Sequence, residues 1–215
     1  ALPICVTVND GNGGANYTVT YASNTTSTIN PKALTASYAA TNKTYNGNTT
    51  ASVTGSSSDI IGGDTVNFVN TSANFADKNV GTGKVVTVSG ISLSGADAGN
   101  YSLQNASATA SANITPKALT ASFSTTTRAY DGSTTASVSG SSSDMVAGDS
   151  LTYSTTTASF GTADAGTGKL VSISGISLGG TDAGNYALQN SSATSTGTIS
   201  RRDVSLTGLT AANKT

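Results

Sequence analysis

The sequence predicts an all-β protein built from tandem small β-sandwich modules, and three observations lead to this prediction. Residues 29–113 and 114–198 are two gapless copies of one unit, with about 48 of 85 aligned positions identical. Short runs in each copy alternate apolar and polar residues, which is the period of a half-buried strand. The chain has no glutamate and is rich in threonine and valine, so strand formers outnumber strong helix formers.

The repeat also sets the expected domain boundaries. A fixed period reveals modular architecture directly, so we expect one module at 29–113 and a second at 114–198. The flanking segments match only part of the unit. We therefore expect residues 1–28 to be the end of a preceding repeat and residues 199–215 the start of a following one, within a longer array.

Seven strands are predicted in each module, and the second copy shows them in order. Turn signals separate them, notably Tyr130-Asp131-Gly132 and the Ser- and Gly-rich loop 141–149. Many short strands with regular turns are typical of a β-sandwich. The predicted strands cover residues 118–124, 134–140, 150–155, 158–160 (a short edge piece), 169–178, 185–189 and 192–199.

A change of phase interrupts the longest predicted strand. Val86 and Val88 point to one face, because side chains alternate along a strand, but Ile91 and Leu93 resume on the other parity. Gly90 lies at the change, and Gly175 repeats it in the second copy. A bulge or bend at these glycines would let both pairs face one core.

The inward faces of the strands supply the predicted core. It comprises the following residues and their equivalents 85 positions later: Leu34, Val53, Val66, Phe68, Phe75, Val86, Val88, Ile91, Leu93, Tyr101 and Leu103.

Composition excludes several classes of partner. The formal net charge is −1 and no basic stripe exists, so nucleic-acid binding has no electrostatic support. No apolar run approaches the roughly 18 residues of a membrane-spanning helix, so we expect no membrane contact by this segment. Cys5 is the sole cysteine, which excludes a disulfide scaffold.

The reactive residues argue against an enzyme. Histidine is absent, which removes His-based acid–base catalysis and the commonest zinc sites. The aspartate pairs Asp59/Asp64 and Asp144/Asp149 lie in Ser- and Gly-rich loops. They are open to two interpretations, calcium ligands or turn and capping residues, and their low ligand density favours the second. We predict no catalytic, cofactor-binding or metal-binding residues and no cofactor.

Lys84 and Lys169 begin apolar strands, and they too allow two interpretations. A buried lysine beside an Asn or Asp could form an intramolecular isopeptide bond. A lysine at the end of a strand more commonly packs its stem against apolar surface while its head reaches water, and we favour this second interpretation.

Three stretches resemble a known family. They are the opening ITPKALTAS (114–122), the turn RAYDGSTTASVSG (128–140) and FADKNVGTGKVVTVSGISLSGADAGNYSL (75–103). In fixed order and repeated, they resemble the tandem YDG-type repeats of large bacterial surface proteins, including filamentous-haemagglutinin-like adhesins. The resemblance implies a secreted, non-enzymatic module displayed on the bacterial cell surface and used to build long adhesin stalks.

A second resemblance concerns the fold. VSGISLSGADAGNYSL (88–103) is similar to the tyrosine corner of immunoglobulin-like domains. It implies an immunoglobulin-like sandwich, with β-grasp-like modules as the alternative. Tyr101 and Tyr186 should then be buried, with each hydroxyl bonded to backbone near the bend that holds Asp97 or Asp182.

Two functions remain open on the sequence. The first is a stalk spacer that projects a distal adhesive domain, because the copies carry no chemistry and Pro116 stiffens a short joint. Its expected partners are the neighbouring repeats of the same chain, with host glycan or protein contacts made by other domains, and it is expected to be a monomer. The second is a module that itself binds a host glycan or matrix protein, for which Tyr45 and Tyr130 are the best candidates for exposed aromatic platforms.

Overall fold

The computed structural model describes residues 11–13, 15–18, 20, 27–208 and 210–211, and within them the protein is all-β. One 3₁₀ turn, Ala98–Asn100, occurs in the first module. The strands of this module are β1 (Lys32–Leu34), β2 (Ser37–Ala40), β3 (Lys43–Thr44), β4 (Val53–Ser56), β5 (Asn67–Val69), β6 (Ser72–Phe75), β7 (Gly81–Ser89), β8 (Ser92–Ser94), β9 (Tyr101–Leu103) and β10 (Ser107–Thr115).

The second module repeats every one of these bounds 85 residues later. Its 3₁₀ turn is Ala183–Asn185. Its strands are β11 (Lys117–Leu119), β12 (Ser122–Thr125), β13 (Arg128–Ala129), β14 (Val138–Ser141), β15 (Thr152–Ser154), β16 (Thr157–Phe160), β17 (Gly166–Ser174), β18 (Ser177–Gly179), β19 (Tyr186–Leu188) and β20 (Ser192–Ser200).

Each module contains a four-stranded sheet and three two-stranded ladders. In the first module the sheet has the order β3-β10-β7-β6, and the ladders are β1-β9, β2-β4 and β5-β8. The pairs β1-β9 and β3-β10 are parallel, whereas the others are antiparallel. The core of the first module includes Phe75, Val86, Val88 and Ile114, and Leu34 is also fully buried.

The two parallel pairs define opposite ends of a module. Lys32 lies beside Tyr101 where the module begins, and Thr44 lies beside Thr115 where it ends. The chain from residue 32 to residue 44 therefore runs along the whole module, at most about 40 Å at ~3.3 Å per residue. We name the first end the head (loops 57–65 and 95–100) and the second the tail (turn 45–50 and loop 76–80). In the second module the head is 142–150 and 180–185, and the tail is 130–135 and 161–165.

The predicted bend in the longest strand is confirmed. Gly90 and Gly175 both have φ of +64°, and each separates two strands that pair with different partners. Val86, Val88 and Ile91 are buried on the same core as a result. A Cβ at Gly90 would lie 2.1 Å from Thr71 Oγ1, so the bend also brings the backbone close to the neighbouring loop.

The predicted core is confirmed, although it was incomplete. Every predicted residue is buried or half-buried in both modules. The alternation pattern missed several small or strand-end residues that are also buried, namely Ala36, Tyr45, Ala73, Ala112 and Ile114 in the first module.

Two predicted strands are wrong in their extent, and β13 was not predicted. The predicted strand 134–140 is reduced to β14, with Thr135 in an isolated bridge to Ser159.

Residues 118–124 form two strands, β11 and β12, because side chains take the backbone donors between them. Thr120 N–H donates to Asp144 Oδ2 and Ala121 N–H donates to Asn190 Oδ1, each at 2.9 Å. These bonds replace a strand partner, so the ladder is interrupted there.

The all-β class is confirmed, while the narrower immunoglobulin-like assignment stays a prediction. A β-grasp module would pack an α-helix against its sheet, and residues 27–208 contain none. Across the part of the chain that the structure describes, no helix has the length and apolar character needed to cross a membrane.

Candidate functional site: the junction between the modules

In the tail of the first module, Tyr45 lies at the start of a turn that is held by hydrogen bonds from Lys43. Lys43 Nζ donates to Asn46 Oδ1 (2.9 Å), the Asn48 carbonyl (2.7 Å) and the Thr50 carbonyl (3.0 Å). Gly47, at φ +79°, closes the turn in a conformation that favours glycine. This network fixes the loop that carries Tyr45, whose backbone N–H is bonded to the Thr115 carbonyl at 2.8 Å.

The carboxylate of Asp149, in the head of the second module, receives side chains from both modules. Tyr45 Oη donates to its two oxygens at 2.9 and 2.8 Å, and Lys78 Nζ donates to Oδ1 at 2.8 Å. Tyr186 Oη, from the second module, donates to Oδ2 at 2.6 Å. The Asp149 side chain is only 1% exposed. The junction thus contains an ion pair whose carboxylate is buried and fully bonded, while the Lys78 side chain is 37% exposed. We name Tyr45, Lys78, Asp149 and Tyr186 the junction cluster.

Neutral contacts extend the interface around this cluster. Asn185 Oδ1 accepts from Val80 N–H at 3.0 Å, and Asn185 Nδ2 donates to Asn79 Oδ1 at 3.3 Å. The rings of Tyr45 and Tyr186 meet edge-to-face with centroids 5.5 Å apart, an arrangement that is favourable for aromatic pairs. Both modules therefore contribute apolar, polar and charged groups to one continuous surface.

The predicted tyrosine corner is correct in burial and wrong in its partner. Tyr101 and Tyr186 are buried, and each hydroxyl accepts a backbone N–H, from Ile61 and Val146 respectively, at 2.8 Å. These donors belong to the head loops before β5 and β15, not to the bend that holds Asp97 or Asp182. The hydroxyl of each tyrosine therefore contacts the head loop that precedes β5 or β15.

The aspartates in the bends, Asp97 and Asp182, have a different role. Each carboxylate accepts a hydrogen bond from the backbone of the head loop in its own module. Asp97 Oδ2 accepts from Thr65 N–H and Asp182 Oδ2 from Ser150 N–H, at 2.8 and 2.9 Å.

Electrostatics keep the junction cluster in its charged, bonded form at neutral pH. Burial on its own would raise the pKa of the Asp149 carboxyl, but hydrogen bonds from Lys78, Tyr186 and Tyr45 outweigh it and hold this pKa below its ordinary value. Burial and the bond to Asp149 raise the pKa of Tyr186 to about 12. The hydrogen bond to Asp149 likewise raises the pKa of Lys78.

The two copies allow each junction surface to be compared with its equivalent in the other copy, which no described module covers. Tyr45, in the joined tail, is 1% exposed, whereas its equivalent Tyr130 is 42% exposed. Asn185, in the joined head, is 5% exposed, whereas its equivalent Asn100 is exposed. The prediction that Tyr45 is an exposed platform for sugars is therefore wrong, because the second module covers it.

The other residues singled out in the sequence have structural positions. Asp59 and Asp144 accept the backbone N–H of Thr35 and Thr120 at 2.9 Å, which is a loop-fixing role. Among the described residues, no three acidic, cysteine or histidine side chains converge as a metal site would require.

The two strand-end lysines are held by the tail loops. Lys84 forms an ion pair with Asp77 at 2.6 Å, and Lys169 donates to Thr162 Oγ1 at 2.8 Å.

Comparison with known proteins identifies the repeated unit. The YDG domain model matches twice, at residues 30–110 and 115–196, and so covers most of the chain. The chain belongs to the YDG-domain family. No curated protein sequence matches it.

One solved structure with partial similarity is a crystal structure of Drosophila N-cadherin EC1-3, at 10% identity and a TM-score of 0.19. The match covers 77% of this chain and 64% of that one. A similarity this weak supports no inference about the YDG domains.

Sequence reasoning missed Lys78, although a signal was present. The two YDG domains are identical at Phe75 and Gly81, on either side of this loop, but all five positions of loop 76–80 differ from those of 161–165, among them Lys78 against Ala163. This divergence marked the loop as a place where the copies differ, although it did not single out Lys78 within it.

Acid is expected to loosen the junction between the YDG domains. The folded pKa of Asp149 is lowered, so its contribution is fully present above the unfolded value of about 4 and is lost as pH falls through the folded pKa. The groups that face it are Lys78, Tyr45, Tyr186 and Asp182. Val80 N–H donates across the junction to Asn185 Oδ1. Amide hydrogen exchange at Val80, followed from pH 7 downwards and corrected for intrinsic rates, should show protection falling below about pH 4. Unchanged corrected protection down to pH 2 would contradict this expectation.

Proposed function

We propose that these YDG domains are structural spacers that form the extended stalk of a bacterial cell-surface adhesin and project a distal adhesive domain. The observation that carries the proposal is the junction cluster. Asp149 of one domain is buried by Tyr45 and Lys78 of the other, so the joint is an interlocked interface and not a flexible linker.

The placement of the junction supports an extended array. Head and tail lie at opposite ends of each domain, because the parallel pair β1-β9 lies at the head and the parallel pair β3-β10 lies at the tail. Strand β10 ends at Thr115, and β11 begins at Lys117 after only Pro116. Domains joined tail to head through such a short connection add their lengths, which is what a spacer requires.

The alternative, direct recognition of a host glycan or matrix protein, has weaker support. Tyr45 is occupied at the junction, and Tyr130 is the equivalent tail tyrosine, which no described residue of another domain covers. The residues that suggested a sugar platform are therefore better explained as joint residues.

Small-angle scattering tests the proposal on the two-domain chain. A compact protein of 215 residues would have a radius of gyration of about 17 Å. Two domains of up to about 40 Å placed end to end should give a clearly larger radius and a maximum dimension that approaches about 80 Å.

Two results would contradict the spacer function. One is a near-globular radius of gyration, and the other is scattering that requires a broad range of angles between the domains. Reproducible binding of the two-domain chain to a glycan or matrix array would instead favour direct recognition.

A further inference from the structure

The head of the first domain has the same geometry as the joined head of the second, but among the described residues no tail covers it. Tyr101 Oη donates to Asp64 Oδ2 at 2.6 Å and accepts from Ile61 N–H at 2.8 Å, the same distances as around Tyr186. Within the described residues, Asp64 Oδ1 accepts no hydrogen bond, whereas Asp149 Oδ1 accepts two. The Asp64 carboxylate is therefore already positioned to accept a hydrogen bond from a docking tail.

This free head also exposes the groups that the joined head covers. Ile61 is 55% exposed, and Asn100 is exposed. An open cavity of about 290 Å³ lies on this surface, lined by Asp64, Asn100 and Tyr101 together with Pro31. Asp64, Asn100 and Tyr101 in its lining are the equivalents of Asp149, Asn185 and Tyr186, which bind the first tail at the existing junction.

The two tails in this chain differ in what they could offer such a head. The first tail carries Lys78 and Asn79, which bind Asp149 and Asn185. The second tail keeps the tyrosine, Tyr130, but has Ala163 and Asp164 at the two equivalent positions.

We infer that the head of the first domain is a docking site for the tail of another YDG domain that carries tyrosine, lysine and asparagine at the positions of Tyr45, Lys78 and Asn79. This inference rests on the proposed spacer function and makes it specific. The residue at the Lys78 position decides which tails form a stiff joint.

Charge explains the selectivity. At the existing junction Lys78 lies 2.8 Å from Asp149 and 3.5 Å from Asp182, so one ammonium serves two carboxylates. A tail with alanine and aspartate would bring a third carboxylate against Asp64 and Asp97 and supply no cation. A buried carboxylate without its partner is strongly unfavourable, so such a tail should dock loosely.

A pair of three-domain chains tests the inference. In one, a second copy of residues 29–113 precedes residue 29, so that a lysine tail faces the free head. In the other, a copy of residues 114–198 takes that place and offers an alanine tail. Both have Cys5→Ser and spin labels at position 87, an exposed threonine, and at the equivalent position of the added domain. Pulsed electron resonance then gives the distribution of distances across the new junction.

The lysine tail should give a narrow distribution and the alanine tail a broad one. Ala163→Lys with Asp164→Asn in the added copy should restore the narrow distribution, and Asp64→Asn should remove it from the lysine-tail chain. Equal widths for both tails would overturn the inference. Spin labels on both sides of the native junction distinguish a failure of this inference from a failure of the spacer function. A narrow distance distribution there leaves the spacer function standing, whereas a broad one contradicts both the spacer function and this inference.

Discussion

Replacing Asp149 with asparagine is expected to lower the free energy of unfolding by about 3 kcal/mol, because three donors converge on its buried carboxylate and hydrogen bonds to a charged group are the stronger ones. Asparagine has nearly the same shape, but its amide nitrogen cannot accept the bonds from Lys78, Tyr45 and Tyr186. Lys78 would keep its charge without its closest carboxylate. Urea unfolding followed by circular dichroism should also show the two domains separating into independent transitions.

The matched control is Asp64→Asn in the free head of the first domain. Asp64 accepts the tyrosine hydroxyl of its own domain and, within the described part of the chain, no group from a neighbouring domain. Losing that bond should cost about 1 kcal/mol. The difference in the free energy of unfolding between the two variants measures the contribution of the cross-domain contacts. If both variants lower the free energy of unfolding by the same amount, the cross-domain contacts contribute nothing to stability. The proposal of an interlocked joint would then be contradicted.

Replacing Gly175 with alanine is expected to destabilise the second domain by about 3 kcal/mol, since two effects add. The residue has φ of +64°, a region that disfavours any side chain. The new Cβ would also lie 2.1 Å from Thr156 Oγ1 and 2.6 Å from Thr156 Cβ. Thermal and urea unfolding would measure the loss.

The repeat supplies a matched control for this variant. Gly161 has open space around its position for a Cβ, and its equivalent in the first copy is Ala76. Gly161→Ala should therefore leave stability nearly unchanged. Adding Thr156→Gly to Gly175→Ala should recover the part of the loss caused by overlap. A Gly175→Ala protein as stable as the control would show that the bend does not require glycine.

The fold was largely predictable because its causes are local. Alternation of apolar residues placed Val86, Val88 and Ile91 inward, and the change of parity at Gly90 predicted the bend that the structure contains. The missed core residues are mostly alanines, such as Ala36 and Ala112, whose small side chains give no clear signal of burial. The split of the predicted strand 118–124 was not visible either, since it depends on Asp144 and Asn190, which are distant in sequence.

The sequence alone determined the all-β class, the 85-residue period, the strand phases and the membership of the repeated family, because each follows from patterns along the chain. Only the tertiary structure decided what the tail tyrosine and the head aspartate do. Tyr45 and Asp149 are 104 residues apart and belong to different modules, so no spacing rule connects them. Their bond exists because strand direction places head and tail at opposite ends, and the joint at Pro116 brings one module's tail against the next module's head.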